Sequence, residues 1–470
     1  MITPELFFLR FQSVFCGKRS GMIKTQLVLH EKILTRAIQI FLGVLTFFRV
    51  VMAWSDYYID TRYFIETAKL ILQGISPYHP ETNPTRFPYP LQSPSMSLLS
   101  MPLCYTPELF QNLFFFVGNI VCFVALTVMV FNYYGFSPKK ILEARWRNVP
   151  IWIMIVLIFV SSPFLALLRH GQNSCFAVFF LFLALLYPKR DKFFNIIYLG
   201  LAAAIKYSLL TMQVPVLIFQ KRWRLCILSA TLFFVMVLSV GLWLDGIVPA
   251  FVDYVKLVMS ETQKGFNSHS GNSSYSLVDV GFFRYHFLNV TAKVSLLTLY
   301  FLTLRKIWLR GRKESGGTDG IWVFPERLTA LEWAAFTTLT MVISYHREYD
   351  CFLFLPFIGV VLAELLKKGY ERGGLRGMEL FCFIYLSLFL LYLAVPQSIV
   401  FRFESILGKL FPQGEKLVYY SNYTPMQTGD TMFPFTKIII LLTTFFLFAM
   451  ELFSFSAHRV NDGREDNTTA

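Results

Sequence analysis

The sequence predicts an all-α, polytopic bundle of transmembrane helices, and three observations carry that expectation. Hydrophobic residues fill 55% of 470 positions and charged residues only 15%, a balance foreign to soluble domains. Apolar runs recur along nearly the whole length. Lys and Arg collect in alternate segments between those runs.

A hydrocarbon core of about 30 Å takes roughly 20 apolar residues per helix. Windows 37–54, 109–132, 149–168, 225–244, 378–396 and 435–454 meet that length. Shorter apolar runs raise the expectation to about 11 or 12 spans, with short re-entrant or surface helices on the outer face. Segment 61–73 reads as an amphipathic surface helix: Phe64, Ala68 and Ile71/Leu72 share a stripe that Arg62, Glu66, Lys69 and Gln73 avoid. Segment 91–103, interrupted by Pro94 and Pro102, is expected to dip into the membrane edge as non-helical backbone without crossing. Segment 193–219 is too long for one crossing and too short for two, so two short helices are expected to meet near Lys206-Tyr207. The segment 245–287 reads as an outer loop. Residues 1–36 and 455–470 read as cytoplasmic tails and 37–454 as one integral membrane domain. No internal repeat is visible.

A formal net charge of +14 would suit a nucleic-acid partner, but its placement argues against one. With the amino terminus taken as cytoplasmic, segments 1–36, 133–148, 188–192, 220–224, 305–328, 367–377 and 455–470 hold 28 Lys and Arg, against 12 on the outer side. This is the positive-inside bias of a multi-pass protein of the inner (plasma) membrane, with lipid as its solvent. The amino-terminal stretch is broken by Lys18, Arg19 and Lys24, with no small-residue cleavage site after it, and reads as a tail rather than a signal peptide. The seven cysteines show no disulfide framework or metal spacing. No P-loop, GxGxxG, HExxH or CxxC suggests a nucleotide or structural metal.

The informative polar groups fall on the expected outer face. Asp60 follows the first span and precedes the aromatic, proline-rich Phe87-Pro88-Tyr89-Pro90. A carboxylate there suits general-base chemistry on an acceptor hydroxyl; the alternative is an exposed loop acid avoiding lipid. Asp56 lies four residues earlier, and either could serve. Arg169-His170-Gly171-Gln172-Asn173 joins two apolar runs with almost no loop, which is costly unless it faces protein, water or ligand. The alternative is helix capping with a snorkelling Arg169. Lys206 follows Gly200-Leu-Ala-Ala-Ala-Ile, small residues that let helices approach closely. Its ammonium would be stranded between apolar half-helices and would attract a phosphate, unless it snorkels to the headgroups. Tyr345-His346-Arg347-Glu348-Tyr349-Asp350 offers an imidazole and a guanidinium fork for phosphate, or else an internally paired ion cluster. Asn272 and Asn289 sit in sequons, a weak signal.

Taken in order, these patches resemble the integral-membrane glycosyltransferases of the C superfamily, specifically family 87. The resemblance runs over roughly 40–365 through Asp60…Gly74-Ile-Ser-Pro-Tyr78, Phe87-x-Tyr89-Pro90, Gly171-Gln172-Asn173, Gly200-Leu-Ala-Ala-Ala-Ile-Lys206, Lys221-Arg-Trp-Arg224 and Ser344-Tyr-His346. It departs from the family pattern at Tyr89-Pro90-Leu91, where a second proline is usual, and in having no proline after Lys206 until Pro215. The resemblance implies a bundle of the C-superfamily type. It implies inverting transfer of a sugar, often mannose, from a polyprenyl-phosphate donor to a glycolipid or glycan acceptor at the outer face, with no metal or other cofactor. The family's proposed base maps by spacing to Gly74 onto Asp60, not Asp56. Lys206, Arg347 and Arg169 are then expected at the phosphate. His346 and Gln172 would position substrate, within a site that also holds His170, Asn173 and Tyr89. The competing expectations are a flippase or transporter of a lipid-linked sugar, and a membrane scaffold.

Overall fold

The structure, a computed structural model, describes residues 20–54, 59–78, 93–187, 192–244, 246–267, 286–314, 324–325, 327–343, 348–375, 377–395, 399 and 434–453. Among these residues every regular element is helical. The chain forms α1 (Ser20–Val51), α2 (Ile59–Leu72), α3 (Pro94–Ser100), α4 (Glu108–Tyr133), α5 (Pro138–Leu142), α6 (Val149–Phe159), α7 (Ser162–His170), α8 (Ser174–Leu186) and α9 (Lys192–Lys206). There follow α10 (Gln213–Phe219), α11 (Trp223–Ser239), α12 (Ile247–Asn267), α13 (His286–Glu314), α14 (Ala330–Ile343), α15 (Leu355–Arg372), α16 (Met378–Ala394) and α17 (Pro434–Phe453).

The all-α membrane bundle expected from composition is what the chain adopts. Among the described residues five helical stretches are long and apolar enough to cross a membrane: Val28–Val51, Glu108–Tyr133, Trp146–His170, Phe193–Leu210 and Trp223–Leu242. Ser174–Leu186, Met378–Ala394 and Ile438–Phe453 are apolar but shorter. Length and composition thus recover five of the 11 or 12 spans expected, and two of the expected apolar segments are broken into shorter helices. Pro163 near the start of α7 breaks one apolar window into α6 and α7. The segment after Lys206 turns through a 3-10 stretch, Tyr207–Leu210, before α10. A break near Lys206-Tyr207 is thus present as expected, but the first piece, Phe193–Leu210, is by itself long enough to cross, and the second helix starts only at Gln213.

Polar contacts identify the two ends of the bundle. At one end, the amide of Trp146 donates to Glu31, Arg36 to the carbonyl of Leu142, Tyr134 to that of Leu328, Gln220 to that of Pro325 and Arg222 to that of Ala184. Segments 1–36, 133–148, 220–224 and 305–328, four of those expected to be basic inner loops, thus meet one another there. The other end holds the start of α2, the α7–α8 turn, the end of α9 and Asp350. The interior is filled by aromatic packing typical of buried helix faces, with ring centroids at 4.2 Å for Phe123 and Phe164 and 4.7 Å for Phe182 and Phe357. α1 instead exposes Ile40, Phe41, Phe47 and Phe48, as a lipid-facing helix would.

The amphipathic reading of 61–73 holds: α2 buries Phe64, Ala68 and Ile71, while Arg62 pairs with Glu108 and Lys69 with Glu66, both at 2.8 Å. Gly74, with φ of +74°, ends the helix. Its amide reaches the Ile71 carbonyl at 3.0 Å and that of Ile75 the Leu70 carbonyl at 2.9 Å, a Schellman closure. Two expectations need correction. Where described, segment 91–103 is helical from Pro94 onward rather than irregular: Pro94 starts α3, which buries Ser95, Met96 and Ser97, and Ser95 donates to the Ala204 carbonyl at 2.8 Å. A helix satisfies its own backbone groups, which is why a short buried segment prefers it. Most of the expected loop 245–287 is not loop where described, because 247–267 forms α12. Its buried Ala250, Tyr254 and Leu257 recur at helical spacing, and Tyr254 packs edge-on against Tyr78, with centroids 5.5 Å apart.

Candidate functional site

The polar site grows from one turn. α7 ends at His170, and Gly171 adopts φ +63°, a left-handed conformation that lets the chain reverse at once. The Gly171 amide bonds the Leu168 carbonyl at 3.3 Å and that of Gln172 the Leu167 carbonyl at 3.2 Å, so the last turn is closed by the Schellman pattern. Asn173 is the N-cap residue of α8. The reversal buries Gln172, Asn173 and Ser174 between helices, where every polar group needs a partner.

Those partners come from four other elements. The Gln172 side-chain amide donates to Oδ2 of Asp60. A carboxylate only accepts, which dictates that the amide presents its NH2. Thr61, next to Asp60, donates to the Gly171 carbonyl at 3.1 Å. From α4, the Asn119 amide donates to the carbonyls of Gln172 and Phe115. The Ser174 hydroxyl donates to Asp350 Oδ1 at 2.6 Å. It also accepts from the Lys206 ammonium at 3.0 Å.

Asp350 lies in the 3-10 stretch Glu348–Phe354 and is fully buried. Lys206 Nζ lies 2.8 Å from its Oδ1 and 2.7 Å from its Oδ2. Lys206 is therefore not stranded, as the sequence suggested. Its ammonium has a built-in counter-ion and lies within hydrogen-bonding distance of three protein acceptors. Ionised Asp350 needs that partner, since an isolated carboxylate in a dry interior is strongly disfavoured. The small-residue run before Lys206 does what its composition implied. A Cβ on Gly200 would meet Leu232 Cδ2 at 2.6 Å, so α9 and α11 are in close contact.

Arg169 is exposed on the last turn of α7. Beside the half-buried His170, it favours the negative end of the α7 dipole. The structure thus brings together Asp60, Gln172, Asn173 and Lys206, with Arg169 and His170 on the adjoining turn. Tyr89, His346 and Arg347 lie outside the described residues, as does Asp56. The sequence reading missed Thr61, Asn119 and Ser174, and saw Asp350 only as one of two acids in the 345–350 cluster. Asn119, a polar residue amid the apolar run of α4, was the available signal, because such residues inside apolar spans are expensive to keep.

What this arrangement can do is limited and specific. It offers a carboxylate of fixed orientation, a rigid turn beside it, and an exposed guanidinium suited to forked binding of phosphate oxygens. Compared with known proteins, the model of glycosyltransferase family 87 matches residues 87–318. The matched stretch includes the α7–α8 turn and Lys206, but begins after Asp60 and ends before Asp350. No curated protein and no solved structure matches the chain.

Proposed function

Because the chain belongs to glycosyltransferase family 87 and is a membrane glycosyltransferase, we propose that it moves a hexose such as mannose from a polyprenyl-phosphate donor to a lipid or glycan acceptor. The observation that carries this reading is the pairing of buried Asp60 with Gln172, one turn from exposed Arg169. Asp60 takes the proton from the acceptor hydroxyl as its oxygen bonds to the anomeric carbon. The bond from that carbon to the phosphate oxygen breaks on the opposite face, inverting the centre and releasing polyprenyl phosphate. Charge accumulates on the leaving phosphate, where a fixed cation stabilises the transition state. Arg169 is assigned that role, joined by Arg347. His170, His346, Asn173 and Tyr89 are assigned to substrate positioning.

The site is assigned to the outer face, because the Lys- and Arg-rich segments meet at the opposite end of the bundle and such segments favour the cytoplasm. The test is transfer by purified protein in detergent from a radiolabelled polyprenyl-phosphate hexose. Wild type should form a new glycoside, and Asp60→Asn should lose about 100-fold or more in kcat while still binding donor. Undiminished turnover by Asp60→Asn would sink the base assignment. Movement of the donor across sealed vesicles with no glycoside formed in detergent would favour a flippase instead.

A further inference from the structure

The proposed reaction needs a base in a fixed place, and Asp60 sits near the start of α2 with its carboxylate bonded to the Gln172 amide. The turn across from it is one element that holds it. Gln172 and Gly171 hold Asp60 and Thr61, and two residues further on Ser174 is locked between Lys206 and Asp350. We propose that Lys206 and Asp350 form an internal ion pair that positions the 171–174 turn, and through it the base, and that Lys206 does not bind the donor phosphate directly. This inference rests on the reading of Asp60 as base in the proposed transfer.

Three features support it. The pair is tight: both carboxylate oxygens of Asp350 and the Ser174 hydroxyl lie 2.7 to 3.0 Å from the ammonium, so a phosphate would have to displace a buried anion from its cation. Asp350 is fully buried and the Lys206 side chain is only 19% exposed, unlike Arg169 on the open side of the same turn. The residues joined are far apart in sequence, 144 positions for the pair and 112 for Asp60 and Gln172. The turn is thus where α2, α4, α8, α9 and the Glu348–Phe354 stretch are tied together. A misplacement of about 1 Å at a reacting group costs on the order of 100-fold in rate, so a positioning device one connection removed from the base has a measurable consequence.

The experiment compares full-length wild type with Asp350→Asn, Lys206→Met, the double variant and Ser174→Ala, by hydrogen exchange and by transfer kinetics. The neutral double variant and Ser174→Ala avoid leaving a lone buried charge, so folded protein is available even if a single variant is not. The expected result is faster exchange at the Gly171 and Gln172 amides in Asp350→Asn, Lys206→Met and Ser174→Ala. With it should come a fall in kcat on the order of 100-fold in both charge variants, an unchanged donor KM, and a double variant no worse than either single. A raised donor KM in Lys206→Met with Asp350→Asn unaffected would overturn the proposal, making Lys206 a phosphate ligand. Exchange changes confined to 348–354 would overturn it too. If wild type transfers no sugar from a polyprenyl-phosphate donor, the functional reading fails, and the exchange data still decide whether the ion pair holds the turn.

Discussion

Thr61 donates its hydroxyl to the Gly171 carbonyl at 3.1 Å, across 110 residues of sequence. The residue after Asp60 therefore grips the residue before Gln172, while Asp60 and Gln172 bond each other. Two parallel bonds fix both the distance and the rotation between α2 and the turn.

Removing one of them should loosen the base without unfolding the bundle. Thr61→Val keeps the shape but deletes the donor, leaving a buried carbonyl unpaired at a cost of about 1–3 kcal/mol. The expected outcome is a modest drop in thermal midpoint with kcat reduced roughly tenfold or more, while Thr61→Ser retains both. Detergent-solubilised melting curves and single-turnover rates check this, and an unaltered kcat in Thr61→Val would deny the clamp any part in the chemistry.

Gly171 is the pivot of the same turn. A side chain at φ +63° places its Cβ against the following carbonyl, at about 1–2 kcal/mol for an L residue. Gly171→Ala should lower stability by that amount and slow transfer further than the stability loss explains, since the amide of Gln172 shifts with it. Asn tolerates this conformation better, so Gly171→Asn should fall between wild type and Gly171→Ala in rate. The reverse order would mean that the left-handed turn is not what matters there.

Much of this arrangement was legible in the sequence and some was not. The apolar windows, the amphipathic period of α2 and the small-residue run before Lys206 each describe a helix's own face, and periodicity reports faces directly. The polar patches at Asp60, 169–173 and Lys206 stood out because polar groups amid apolar runs are costly. The partner of Lys206 was not readable: nothing in spacing singles out Asp350 from Glu348 beside it, and only tertiary packing buries one acid against a lysine 144 residues away. Ser174 was hidden for a related reason, since it opens the apolar run of α8 and resembles a helix start. α12 was misread as loop because the apolar stretch 247–259, with only Asp253 and Lys256 charged, was read together with the polar stretch that follows it from Ser260.

Arg169 offers a cleaner separation of binding from folding. It is exposed, so Arg169→Ala should change stability by less than about 0.5 kcal/mol. If it forks a donor phosphate, loss of charge-assisted bonds of about 1.5–3 kcal/mol should raise donor KM by roughly tenfold or more. Arg169→Lys should recover only part of that, because an ammonium cannot bind two oxygens in the planar fork. Isothermal titration with the unlabelled donor measures it, and equal affinities for all three proteins would remove Arg169 from the phosphate site.

At the opposite end, Glu332 gives a stability prediction uncoupled from the chemistry. Thr329 and Glu332 form a capping box at the start of α14, with the Thr329 amide donating to Glu332 Oε2 at 2.7 Å and the Glu332 amide to Thr329 Oγ1 at 3.1 Å. The same carboxylate, fully buried, pairs with Arg310 of α13 at 2.8 Å. Glu332→Ala removes the cap and the guanidinium's pairing with this buried carboxylate, so a loss of about 3 kcal/mol is expected, at the lower end for a broken buried pair because Arg310 retains some contact with solvent. Glu332→Gln keeps the cap acceptor and should lose less, and replacing Arg310 and Glu332 together by Met should restore most of the deficit. α14 runs 14 residues away from this end, roughly 20 Å at the rise of an α-helix, so kcat per folded molecule should stay at the wild-type value. Thermal unfolding alongside active-site-normalised turnover distinguishes the two effects, and a kcat that falls with the melting temperature would show that the charged far end is coupled to the transferase site.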